Sequence, residues 1–127
     1  KILKVRDDYN IYDLGPTESE GKVDYPDQAA KVCRFLGLNE DDRGILICGT
    51  GTGLCIAANR FTKIRAALVT DRATAELSRD HNDANVLVLG QWRNSLGSMD
   101  EIVKTWLDTP FGGGRHIARV NKLSDLT

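Results

Sequence analysis

Gly44-Ile45-Leu46-Ile47-Cys48-Gly49-Thr50-Gly51-Thr52-Gly53 is the stretch on which the fold turns. Gly44 to Ile47 is short, apolar and rich in β-branched side chains, which reads as a central parallel strand covered on both faces. The strand runs into a cysteine and then into three glycines at alternate positions. Such glycines let the backbone turn tightly and present its N–H groups. Leu54-Cys55-Ile56-Ala57-Ala58-Asn59 continues as a helix whose N-terminus favours negative charge. Strand, loop and helix together predict an anion site with a thiol at its rim.

The same alternation continues outward. Apolar runs at Ile45–Cys48, Arg65–Val69 and Val86–Leu89 are separated by helical patterns, the signature of repeated βα units. The expected fold is α/β, a Rossmann-like three-layer sandwich with a mostly parallel sheet and helices on both faces. Pro26 suits a first helical turn and Gly37 a helix end, bracketing an apolar face of Ala29, Val32, Cys33, Phe35 and Leu36. Ser98 and Glu101 read as a capping box, with Ile102, Val103, Trp106 and Leu107 as the stripe behind it. The chain opens at Lys1 on residues that read as the end of a helix leading into Tyr9–Leu14. A first strand is expected to be missing, and residues 1–127 form one domain.

With 127 residues and 41% hydrophobic content, the chain supports a single core. A net charge of −1 gives no general drive toward nucleic acid or an anionic membrane, so an anionic partner must be held locally. No apolar stretch approaches the roughly 20 residues that span a bilayer, and no signal peptide opens the chain, so a cytoplasmic location is expected. Three cysteines without C-x-x-C spacing favour free thiols over a disulfide framework or a metal site.

Cys48, where strand meets glycine loop, is the candidate base or nucleophile, because backbone N–H groups there stabilise a thiolate. Cys33 and Cys55 read as packing residues. Thr50 and Thr52 can cap the helix or hydrogen-bond an oxyanion, and with the amides of Gly49, Gly51 and Gly53 they would oppose charge developing beside a carbonyl. His81-Asn82 lies in a polar connection and pairs a group that titrates near neutrality with a directional amide, which suits a hydroxylated sugar. Arg115 and Arg119, four residues apart after Gly112-Gly113-Gly114, read as a phosphate clamp if the tail is helical.

With these residues assembled, the chain resembles the type B ribose-5-phosphate isomerases, a family that also holds the galactose-6-phosphate isomerase subunits. The resemblance covers nearly the whole chain. It is carried by Val23-Asp24-Tyr25-Pro26, Gly44–Gly53 with Ile56-Ala57-Ala58-Asn59, Ile64-Arg65-Ala66-Ala67, His81–Val86, and Gly113-Gly114-Arg115-His116 with Arg119-Val120. It implies an aldose–ketose isomerase of the pentose phosphate pathway that needs neither metal nor organic cofactor. It also implies a homodimer, sometimes paired into a homotetramer, with active sites between subunits. Cys48 would move a proton between C1 and C2, Thr50 and the loop amides would stabilise the enediolate, and His81 would assist ring opening. Asn82 would hold sugar oxygens, Arg115 and Arg119 the phosphate, with His81 and Asn82 contributed across the dimer interface. Some relatives replace the cysteine and carry a glutamate five residues on; here that point is Gly53. The Asp-His pair ending the family's first strand is absent from this sequence. Trp92 stands where relatives commonly carry an arginine, with Arg93 beside it.

Three other readings compete. A dinucleotide module is suggested by glycines after a strand and Asp71 about 20 residues on, but the fingerprint requires G-x-G-x-x-G rather than strict alternation. An isomerase of another sugar phosphate (galactose 6-phosphate or a tetrose phosphate), or a non-catalytic phosphosugar-binding relative, would keep the clamp, and only the last would dispense with Cys48 as a base.

Overall fold

The computed structural model describes residues 8–16, 21–36 and 40–126. Along them run α1 (Tyr25–Leu36), β1 (Gly44–Cys48), α2 (Thr52–Ala58), β2 (Ala66–Leu68), α3 (Arg72–Asp80), β3 (Val86–Gly90), α4 (Leu96–Asp108) and α5 (His116–Ser124). The strands are parallel and ordered β1-β3-β2, with Gly44, Ala66 and Val86 in one register row and Cys48 opposite Gly90.

The alternation of side chains along β3 builds the sandwich. Val86 and Val88 enter one core with Ala29, Cys33 and Leu36 of α1, Leu46, and Leu54 and Ala58 of α2. Leu87 and Leu89 point the other way, into a core of Val69, Ala75 of α3, and Ile102, Val103 and Trp106 of α4. All four β3 side chains are fully buried. Their burial contributes about 6–12 kcal/mol before the cost of ordering them. The three-layer α/β sandwich with helices on both faces is therefore the observed fold.

Several expectations change in detail. The central strand among the described residues is β3 rather than β1. Among the described residues β1 is hydrogen-bonded to β3 alone, and Ile47 is 53% exposed there. The cap of α4 is Ser95, whose Oγ accepts from the Ser98 N–H at 3.2 Å; Ser98 sits inside the helix, because Leu96 and Gly97 are already helical. Phe35, expected in the core, leans outward against Tyr12, with ring centroids 5.2 Å apart. Tyr9–Leu14 is irregular. The helix end read at the start of the chain and the stop at Gly37 lie outside the described residues.

The edge of the sheet where the strands begin is pinned by polar side chains. Asn85 accepts from Arg65 N–H at 2.7 Å and donates to Lys63 O at 2.9 Å, and Asn59 brackets Ala66 in the same way. Arg79 is only 4% exposed. Its guanidinium donates to Thr109 O at 3.1 Å, Ala84 O at 2.7 Å and Asp83 Oδ1 at 2.9 Å. These bonds hold the turn from α3 to β3, including Asp83 at φ 48°, in one conformation.

Candidate functional site

In an open parallel α/β sheet, ligands gather where strands end. Cys48 and Gly90 are paired there. The chain leaving β1 doubles back on itself, and the Cys48 sulfur accepts the Gly51 N–H at 3.0 Å. That bond holds the sulfur against the turn of the glycine loop. Thr50 Oγ1 accepts the Thr52 N–H at 3.3 Å, so Thr50 organises the loop that Cys48 opens. The loop is closed from the β3 side by Gln91 N–H to Cys48 O at 2.7 Å and Trp92 N–H to Gly49 O at 3.0 Å.

The three loop glycines serve different ends. Gly51 has φ +83°, a conformation a side chain would strain. Gly49 and Gly53 make room for aromatic rings: a Cβ at Gly49 would lie 2.7 Å from three ring carbons of Trp92, and one at Gly53 2.5 Å from Tyr25 Cε1. The sequence marked Trp92 as standing where relatives carry an arginine, with altered substrate length or weaker phosphate binding as the expected effect, and Tyr25 only as part of a matching segment; it placed neither ring on the glycine loop, since both reach it from distant segments. The one local signal was Tyr25-Pro26 at the start of a helix.

The other two thiols behave as packing residues. Burial pushes the Cys33 thiol up to about 11, and burial also raises Cys55, against hydrogen bonds near Leu68 and from Asn59 that lower it. Asp71, the acid of the dinucleotide reading, caps α3 by accepting Thr74 N–H at 2.7 Å.

His81 and Asn82 stand at the opposite edge of the sheet. They follow α3, which runs back against the strands, and precede Val86, roughly 13 Å of strand away from Gly90. There they line a cavity of about 230 Å³ with His116, Arg119, Val120 and Leu123. The glycine run brings α5 in, with Gly112 N–H on Asp80 O at 2.9 Å and left-handed backbone at Gly113 and Gly114. The His81 and His116 rings stack at 4.3 Å and 18°. His81 Nε2 lies 3.6 Å from Asp80 Oδ2. Desolvation first, then His81, Arg115 and Arg119, hold His116 below the ordinary histidine value, with Asp80 opposing them. Arg115 is the residue just before α5 and Arg119 lies one turn on, so the tail is helical; Arg119 lines the cavity, and the charge of Arg115 acts on His116. His116 is the neighbour that the motif reading left without a role.

One chain thus carries two half-sites, a thiol in a glycine loop and a cationic, imidazole-lined cavity. Together they define an α/β protein equipped to hold a small anion and to move a proton. The profile of the ribose/galactose isomerase family matches residues 1–123. Ribose-5-phosphate isomerase B of Escherichia coli is 44% identical over 116 residues, 91% of this chain and 77% of that protein. The structure of ribose-5-phosphate isomerase B from Mycoplasma genitalium with bound ribulose-5-phosphate superposes with a TM-score of 0.91 at 42% identity, covering 98% of this chain and 82% of that one. The Clostridium thermocellum ribose-5-phosphate isomerase B gives 0.90 at 48% identity over the same shares. The chain belongs to the ribose/galactose isomerase family.

Proposed function

We propose that the protein is an aldose–ketose isomerase interconverting ribose 5-phosphate and ribulose 5-phosphate. The observation that carries this reading is the Cys48 thiol, hydrogen-bonded by a backbone amide at a strand tip and facing a glycine loop. Cys48 takes the proton from C2 of the open-chain aldose. The electron pair becomes the C1=C2 bond of an enediolate, whose charge the Thr50 hydroxyl and the amides of Gly49, Gly51 and Gly53 oppose, with Thr52 beside them. The O2 proton moves to O1, and the thiol returns its proton to C1, which gives the ketose. His81 opens the ring, Asn82 holds sugar oxygens, and Arg115 and Arg119 hold the phosphate.

A full site needs two copies on this reading, because Cys48 and His81 occupy opposite sheet edges of one chain. A homodimer that sets the thiol loop of one copy against the imidazole cavity of the other joins them, whether the assembly stops at the dimer or two dimers pair into a tetramer. The three free thiols fit a reducing cytoplasm.

The test is NMR of ribose 5-phosphate in D₂O with this chain. Ketose formation with deuterium at the exchanging carbon is the expected result. Cys48→Ala is expected to slow exchange by about 10²–10⁴-fold, the usual worth of a general base, while sugar-phosphate binding persists. Full exchange in Cys48→Ala would remove the thiol from the mechanism.

A further inference from the structure

Trp92 is 76% exposed, the largest apolar side chain left in solvent beside the thiol loop. It is not loosely placed. Three carbons of its six-membered ring are equidistant, at 2.7 Å, from where a Gly49 Cβ would stand, so the ring lies face-on over the Gly49 backbone. Its own backbone is tied on both sides, through Gln91 N–H to Cys48 O, Trp92 N–H to Gly49 O, and Arg93 N–H to Gly90 O at 3.1 Å. Asn94 adds a side-chain N–H to Gly90 O at 3.0 Å. One face of the indole is therefore seated on the residue that follows Cys48, and the other is presented to solvent.

We propose that this face is a wall of the sugar subsite, taking the C–H side of the substrate's carbons and setting which sugar phosphates the enzyme accepts. The inference rests on the isomerase reading. The indole carries no charge, so it offers the phosphate nothing; what it offers is a flat apolar surface with one N–H at its edge, complementary to a sugar whose ring has one C–H face. Tyr25 stands over Gly53 at the far end of the same loop, so the segment that holds the enediolate is flanked by an aromatic ring at each end.

The two tryptophans make the proposal directly measurable. Trp106 is fully buried, so red-edge emission comes from Trp92. Titration with ribose 5-phosphate is expected to shift or quench that emission saturably, and Trp92→Phe to abolish the signal while losing less in kcat/KM than Trp92→Ala. Trp92→Ala should lower kcat/KM for ribose 5-phosphate by about tenfold, mainly through KM, the scale at which an apolar contact discriminates between substrates. Inhibition by inorganic phosphate should stay unchanged in every variant, and the ratio of activities on tetrose, pentose and hexose phosphates should flatten in Trp92→Ala. Unchanged emission with turnover intact would overturn the proposal. So would an emission that follows protein concentration rather than ligand, which would assign the ring to a contact between copies, or a loss of phosphate inhibition equal to the loss in KM, which would mark simple loop damage. If the sugar phosphate shifts the emission but is never converted, the subsite stands and the isomerase reading falls.

Discussion

Adding one methyl group at each of two glycines should move stability in opposite directions. At Gly90 a Cβ would meet the carbonyl oxygen of Thr50, lie 2.7 Å from the Thr50 carbonyl carbon and 3.0 Å from Gly49 O. These are backbone atoms, so no rotamer change relieves the clash. Overpacking of this kind costs about 1–3 kcal/mol, which lowers the melting temperature by roughly 4–12 °C for a domain of this size. The strain falls on the loop that carries Thr50, and displacing it by several tenths of an ångström is expected to reduce kcat/KM by about tenfold, since a 1 Å error costs about 10²-fold. At Gly97, inside α4, a Cβ meets nothing within 4 Å. Gly97→Ala should gain about 0.4–1 kcal/mol from helix propensity and a less flexible unfolded chain. Circular dichroism melts and steady-state kinetics of the two variants provide the assay. A Gly90→Ala protein that melts and turns over like the parent would refute the reasoning, as would a Gly97→Ala protein destabilised to the same degree.

Arg79→Ala removes a guanidinium buried at 4% exposure and leaves the carbonyls of Thr109 and Ala84 without their donor; a loss of about 3 kcal/mol is expected by urea denaturation, with Arg79→Lys recovering only part of it. Brief iodoacetamide treatment at pH 8 followed by mass spectrometry should label Cys48 first and spare Cys33, which is buried and titrates near 11; preferential labelling of Cys33 would contradict the packing described. In an NMR titration His116 should lose its proton at lower pH than an ordinary histidine, and His81→Ala should move its midpoint upward. Because the folded value is the lower one, the unfolded chain binds more protons there, so this group penalises folding as pH falls through the ordinary histidine value of about 6.5 and leaves stability untouched above it. A His116 midpoint above that of a free histidine would reverse the assignment.

The layers of the fold were legible because Ile45–Cys48, Arg65–Val69 and Val86–Leu89 are apolar runs too short for helices, set between helical patterns. Strand order was not. β1 and β3 are both short apolar runs of five residues, and which of them lies in the middle depends on which helices pack on which face. Ser95 and Ser98 are chemically equal as caps, and only the backbone entering at Leu96 chooses between them. Cys48, the glycine loop and the basic tail could be read as local motifs. The rings of Trp92 and Tyr25 could not, because each meets the loop across tens of residues of sequence. Placing His81 far from Cys48 follows from strand direction alone: a turn after a helix that returns from a strand tip comes back to the sheet's starting edge.

The position of β3 between its two neighbours also governs the order in which the protein can be assembled on a ribosome. Among the described residues β1 and β2 do not bond to each other; each bonds to Val86–Gly90, which is made after both. At synthesis rates of about 5–20 residues per second, roughly 2–8 seconds separate the emergence of β1 from that of β3, the strand it bonds to among the described residues. During that interval Ala29, Cys33, Leu54 and Ala58 have no β3 face to cover them. Chaperones that hold nascent chains should engage this protein before residue 90 and release it soon after, and ribosome-bound fragments ending before and after β3 should differ sharply in protease resistance.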